Sequence, residues 1–278
     1  MDLRDFHADN RFGLIVRVSG HNEKVAQRRF LYLQQVLREF NNRSLYGQPL
    51  LQQVDVAVWS NPLYADCCDV GTTFQRVQQL RKYHFPVMAH QITRGDLSCV
   101  ALNEVMECQR QAGITHTFVW SCEAYTYITK TTVQQMLRGA QRGARAVGVI
   151  LHEYADIIGR LGWVMNTCAL WHLQSLQAVG GFDLRAQLSP ETYGAASTAE
   201  EVLTQIALVE RFARCIALVP APSGAGYIAP HPERQPYEAE VHEAKVTSKQ
   251  ARFWELCTLA GVAPDYIAQH GLLPMRHD

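Results

Sequence analysis

Gly13-Leu14-Ile15-Val16-Arg17-Val18-Ser19 is a β-branched apolar run that stops at Gly20-His21-Asn22-Glu23. A short run of this kind closed by a turn residue reads as a strand leading into a loop. Beyond it, Ala26, Phe30, Leu33, Leu37 and Phe40 recur at helical spacing over residues 24–40, predicting an amphipathic helix with one buried stripe.

The alternation continues downstream. Val54-Asp55-Val56-Ala57-Val58-Trp59 predicts a second strand, closed by Ser60-Asn61-Pro62, where proline forbids continuation. Residues 74–83 read as a helix and 86–90 as a third strand. Leu97, Ala101, Val105, Cys108 and Ala112 form a helical stripe that Gly113 ends. His116-Thr117-Phe118-Val119-Trp120 predicts a buried strand followed by Ser121-Cys122-Glu123. Val133, Leu137 and Ala140 mark a helix, and residues 146–151 a fifth strand. Five strands alternating with helices imply an α/β fold, a mostly parallel sheet with right-handed crossovers and helices on both faces. Ligands of such sheets bind outside the carboxyl ends of the strands, which directs attention to the segments after Ser19, Trp59, His90 and Trp120.

The second half differs in texture. Leu170, Leu173 and Leu176 predict a helix over 166–179, stopped at Gly180-Gly181-Phe182-Asp183. A turn-rich stretch over 189–198 precedes a helix over 199–214 and a strand over 215–219. The proline- and glycine-bearing residues 220–236 read as a loop or lid, and 244–260 as a last helix. Residues 1–222 are thus expected to form the main domain, with 223–278 a loop and C-terminal helix extension packing on it.

Composition narrows the function classes. With 278 residues, 47% of them hydrophobic and 19% charged, the chain is a globular one able to bury a sizeable core. The 26 Lys and Arg balance the 26 Asp and Glu, so no net field draws it to nucleic acid or anionic lipid. Its 8 cysteines are too sparse for a disulfide scaffold, and no C-x-x-C spacing suggests a zinc cage. No apolar run approaches the ~18 residues of a membrane span, and the expected location is the cytoplasm.

Five places in the sequence resemble the nucleotide-diphospho-sugar transferases of the GT-A fold, a Rossmann-like architecture, and in particular the inverting family-two glycosyltransferases. They are the first strand running into Asn22-Glu23; Arg94-Gly95-Asp96 followed by Asn103; the strand 118–123; the segment from Asn166 to Ala178-Val179-Gly180-Gly181-Phe182-Asp183; and Ala199-Glu200-Glu201-Val202. The resemblance implies a protein that binds a nucleotide-diphospho-sugar and transfers the sugar to an acceptor, whether glycan, lipid or protein. It implies that Glu201, with Glu200 beside it, takes the position of the base, and that Asn22, Glu23, Asn61, Arg94, Ser121, Asn166 and Asp183 bind the nucleotide-sugar. A divalent metal, Mn or Mg, belongs to the family, and Glu123 is the residue here that falls on its ligand motif, with His231 in the lid as a second candidate.

The sequence departs from the family at that motif. Ser121-Cys122-Glu123 stands where the family has two aspartates, leaving one lengthened carboxylate for a hard cation that prefers oxygen ligands. Arg94, His152 and His231 are alternative partners for the departing diphosphate. Glu200 and Glu201 also have a simpler explanation: acids favour the positive end of a helix, and Thr198 would cap it. A GT-A domain that has lost catalysis and serves as a binding or scaffold module is therefore the competing reading, with a nucleotidyltransferase ranked below both. Trp120 and Trp171 are expected in the core, and Trp163, after Gly162, is expected to be exposed.

Overall fold

A computed structural model of the chain describes residues 2–20, 23–60, 70–80, 82–92, 98–186, 199–226 and 236–274. A short helix α1 (Leu3–Asp9) precedes β1 (Phe12–Gly20) and α2 (Glu23–Asn41). A small hairpin, β2 (Ser44–Leu45) and β3 (Gln48–Pro49), leads into β4 (Gln53–Ser60), α3 (Val70–Gln78) and β5 (Val87–Ile92). Then follow α4 (Ser98–Gln111), β6 (His116–Ser121), a 3-10 segment (Cys122–Tyr127), α5 (Lys130–Gln141), β7 (Ala146–Ile150) and α6 (Ala155–Leu161). The chain continues through β8 (Cys168–His172), α7 (Leu173–Ala178), α8 (Val202–Phe212), β9 (Ile216–Pro220) and α9 (Pro236–Ala260).

Seven strands form one sheet in the order β5-β4-β1-β6-β8-β7-β9. β5, β4, β1 and β6 run parallel, as do β7 and β9, whereas β8 runs antiparallel to both of its neighbours. Phe12, Leu14, Ile15 and Val16 are all fully buried, so side chains of both parities along β1 are covered, as expected for a parallel sheet with helices on its two faces. The chain leaves β1 for β4 on one side and later returns to β6 on the other. β1 and β6 therefore bound the switch point, where open α/β sheets bind ligands outside the carboxyl ends of their strands.

Two expectations from sequence are corrected. Residues 166–179 are not one helix: Cys168–His172 is a strand, and the helix spans only Leu173–Ala178. A five-residue apolar segment flanked by strands on both sides is buried all round, so its periodicity cannot distinguish strand from helix. Trp163 is not exposed but completely buried. Gly162 ends α6 in the left-handed region at φ 70°, and the chain turns inward so that the Trp163 ring packs 5.0 Å from Phe253 of α9. The space over Gly162 is closed by the backbone of Ala268, which would stand 2.9 Å from an added Cβ. The C-terminal segment thus supplies core: Phe253, Leu256, Cys257 and Ile267 are buried, and Leu273 N donates to Ile216 O alongside β9.

The helix α1 was not anticipated from its polar sequence. It turns Leu3, Phe6 and His7 inward, and the Phe6 ring lies 6.1 Å from Phe12 and 5.5 Å from His116. No helix among the described residues is long and apolar enough to cross a membrane.

Candidate functional site

The carboxyl ends of β1 and β6 carry the polar groups. Arg17 on β1 stands opposite Ser121 on β6, and the next residue, Cys122, donates its thiol to Arg17 O at 3.2 Å. Glu123 lies in the first turn of the 3-10 segment, where its Oε1 accepts from Arg29 Nε of α2 at 2.8 Å and its Oε2 from Ser121 Oγ at 2.6 Å. Cys122 is fully buried, and desolvation together with the Glu123 charge drives its thiol well above the ordinary range, so it remains neutral.

Because β8 is antiparallel, its beginning lies at this same edge. Trp120 pairs with Cys168, and Ser121 N donates to Thr167 O at 2.9 Å. Asn166 is next along the chain, and its backbone N–H donates to Glu201 Oε1 at 3.3 Å. The adjacent Glu200 accepts from Arg17 at 2.6 Å. Ser121, Glu123, Asn166, Glu200 and Glu201 are thereby brought together, with two arginines among them.

Glu201 has the most perturbed environment of the group. It is 1% exposed, and its Oε2 has no hydrogen-bond partner among the described residues. Burial, reinforced by the Glu200 charge, raises its pKa to about 8, opposed by Lys249 and Arg17. It occupies the residue before α8, yet its side chain makes no capping bond there. Lys249 of α9 lies 5.9 Å from the ring centres of both Tyr154 and Trp163.

A continuous chain of contacts positions Asn166. Asn103 of α4 accepts from Phe182 N at 2.7 Å and donates to Phe182 O at 2.9 Å. The Phe182 ring meets Trp171 edge-on at 5.3 Å, and Trp171 Nε1 donates to Asn166 Oδ1 at 2.9 Å. Asn103, the Gly180-Gly181-Phe182 turn, Asn166 and Glu201 are separate in sequence and joined in space.

Asp183 turns elsewhere. Its carboxylate accepts from Arg185, at 2.6 Å from Nη2, which holds it below the usual range. His152, an alternative from sequence, lies exposed after β7 with its ring 3.4 Å from Pro222 O. Glu23 starts α2, and Asn22, Asn61, Arg94 and His231 lie outside the described residues.

No protein-family model matches the sequence, and no curated protein matches it. Solved structures do match in shape. A mannosyltransferase from Pyrobaculum calidifontis, solved in complex with GDP-Man and Mn2+, aligns over 92% of this chain with a TM-score of 0.57 and 13% identity. The chain has the GT-A fold. This chain spans 66% of that mannosyltransferase's length. Glucosyl-3-phosphoglycerate synthase from Mycobacterium tuberculosis is also similar. Its complex with phosphoglyceric acid gives a TM-score of 0.52 at 10% identity, covering 99% of this chain and 90% of that one. Its complex with Mg2+ and UDP gives 0.51 at 11%, covering 95% and 85%.

Among the described residues, the site of this chain does not fit a divalent cation. Both Glu123 oxygens already accept hydrogen bonds, one from a guanidinium, and the middle residue of the motif is a buried neutral thiol. Among the described residues no group of three or more His, Cys, Asp or Glu side chains is arranged to hold a metal ion. Arg17, Arg29 and Lys249 were not singled out in the sequence. Arg17 had a signal, as the one charge within the apolar run of β1. Arg29 follows another arginine on a helix and had none.

Proposed function

We propose that this protein binds a nucleotide-diphospho-sugar in the crevice outside β1 and β6 and transfers the sugar to an acceptor hydroxyl with inversion, Glu201 serving as the base. The observation that carries this reading is the Glu201 carboxyl: buried, unused by its helix, with one oxygen unpartnered and its pKa raised. Strongly perturbed acids of this kind concentrate where proton transfer occurs. A carboxylate of raised pKa is a stronger base, suited to removing a hydroxyl proton as the oxygen becomes nucleophilic.

In this reaction the acceptor oxygen forms a bond to the anomeric carbon and its proton passes to Glu201. The bond from that carbon to the diphosphate breaks, and its electron pair leaves with the nucleoside diphosphate. Asn166 orients Glu201 through the backbone hydrogen bond, and the neighbouring Glu200 helps to raise the Glu201 pKa. Asn22, Glu23 and Asn61 are assigned to the nucleoside, and Arg94 and Ser121 to the remainder of the donor; Asp183, held by Arg185, is given no such role. The GT-A neighbours solved with GDP-Man and with UDP lend support to the choice of donor class.

The second reading is a GT-A domain that binds without catalysing. It is favoured by the closure of Glu201 from solvent and by the Arg17–Glu200 and Arg29–Glu123 pairs, which neutralise the neighbouring carboxylates. Calorimetric titration with UDP, GDP and their sugars, followed by assay of nucleotide release, separates the two. Binding with release that disappears in Glu201→Ala supports the enzyme. Binding without release supports the module, and absence of any binding overturns both.

A further inference from the structure

We infer that the negative charge of the nucleoside diphosphate is met in this protein by Arg17 and Arg29 rather than by a divalent cation, an inference that rests on the donor class just proposed. Three observations converge on it. Arg29 Nε stands 2.8 Å from Glu123 Oε1, and Ser121 Oγ stands 2.6 Å from Glu123 Oε2. A dication bound to this carboxylate would sit beside that guanidinium, whose positive charge opposes it.

The other positions of the motif offer no compensation. Ser121 Oγ is a neutral oxygen that donates to Glu123, and Cys122 turns its thiol away to Arg17 O. Oxygen-seeking ions such as Mg2+ usually depend on one or two carboxylates together with phosphate oxygens, and here the one carboxylate is engaged.

The two arginines both adjoin the same three residues. Arg17 faces Ser121 across the β1–β6 pair, and Arg29 grips Glu123. Both guanidinium groups lie close enough to act electrostatically on Cys122, the residue between. Both are partly exposed, at 22% and 24% of their side-chain surface, whereas Glu200 beneath Arg17 is 3% exposed. Arg17 is thus the solvent-side member of its pair, and Arg29 is about as exposed as Glu123, at 24% against 19%. Guanidinium forks match phosphate oxygens in pairs, so a diphosphate entering the switch-point crevice exchanges carboxylate partners for phosphate ones without a bridging ion. Glu123 and Glu200 hold the arginines in place before the donor arrives.

The test is calorimetric titration of the intact protein with UDP, GDP and inorganic pyrophosphate, in excess EDTA and in excess MnCl2, with Mn2+ paramagnetic resonance on the protein alone. We expect equal affinity in the two media and an unaltered free Mn2+ signal. Arg29→Ala should weaken binding by about tenfold or more, and Arg29→Lys by less, since losing a charge-assisted contact costs about 1.4 kcal/mol or more, equivalent to that tenfold. Arg17→Ala combined with Glu200→Gln, which avoids leaving a buried carboxylate behind, should act similarly. Binding that EDTA abolishes, Mn2+ taken up by the protein alone, or full affinity in Arg29→Ala overturns the inference. Pyrophosphate binding in EDTA without UDP or GDP binding upholds the arginine site and overturns the nucleotide donor. Failure of all three ligands in both media overturns both proposals.

Discussion

Asn166 donates its backbone N–H to one oxygen of Glu201 and leaves the other without a partner, while its own side-chain Nδ2 is likewise unpartnered among the described residues. A buried carboxyl held this way is easier to protonate than to ionise. Its folded pKa lies above the ordinary 4.5, so the folded state binds the proton over a range where the unfolded state has lost it. Glu201 therefore favours folding fully below about pH 4.5, and that contribution is lost as the pH rises through about 8. Glu201→Gln should remove this loss. Urea unfolding across that range is expected to show the variant gaining on the native protein as pH rises.

The histidines at the opposite edge act with the other sign. His116 and His172, with ring centres 4.8 Å apart, are shifted down to about 3 and about 4, chiefly by burial. The unfolded chain binds their protons first, so their contribution is full above about pH 6.5 and is lost as the pH falls towards those values. His116→Phe, which keeps a ring against Phe12, should abolish about 2 kcal/mol of the stability lost between about pH 7 and about pH 5. Urea midpoints at the two pH values measure it.

The turn that positions Asn166 depends on Asn103 and Gly181. Gly181 has φ 81°, and an added Cβ would lie 2.6 Å from Asn103 Oδ1. Asn103→Ala strands the buried Phe182 backbone and should cost about 2–3 kcal/mol, and Gly181→Ala should cost a similar amount by displacing the same side chain. Since both break one contact, the double variant should fall well short of the sum in chemical denaturation.

Asp55, in the middle of β4, is fully buried and bound by His90 at 2.6 Å, Gln109 at 2.7 Å and Gln53 at 2.9 Å. Asp55→Ala leaves these donors without their acceptor and should destabilise the fold by about 3 kcal/mol. Thermal unfolding of the variant checks this, with Asp55→Asn expected to lie between it and the native protein.

The sheet was legible because its strands are short apolar runs separated by amphipathic helices, a pattern that survives without tertiary information. β8 was not, since a strand buried on both faces has the composition of a buried helix. Trp163 misled for a related reason: the helix that covers it lies about 90 residues further on, beyond any local window. At the site, the segments around Asn103, Asn166, Gly181 and Glu201 were each visible, but the contacts joining them exist only after folding. The arginines were obscured because an arginine near the end of a strand or on a helix face looks like any solvated charge until its partner is known. Glu123 was identified as an acid; that its charge is already balanced by Arg29 could not be read from spacing.

The most direct test of the account is release of free UDP or GDP from the sugar nucleotides, followed against pH in the native protein and in Glu201→Gln. The account predicts release that rises with pH through about 8 in the native protein, as Glu201 ionises, and that is absent in the variant while donor binding persists. Release that is undiminished in Glu201→Gln, or no release from any sugar nucleotide the native protein binds, would contradict it.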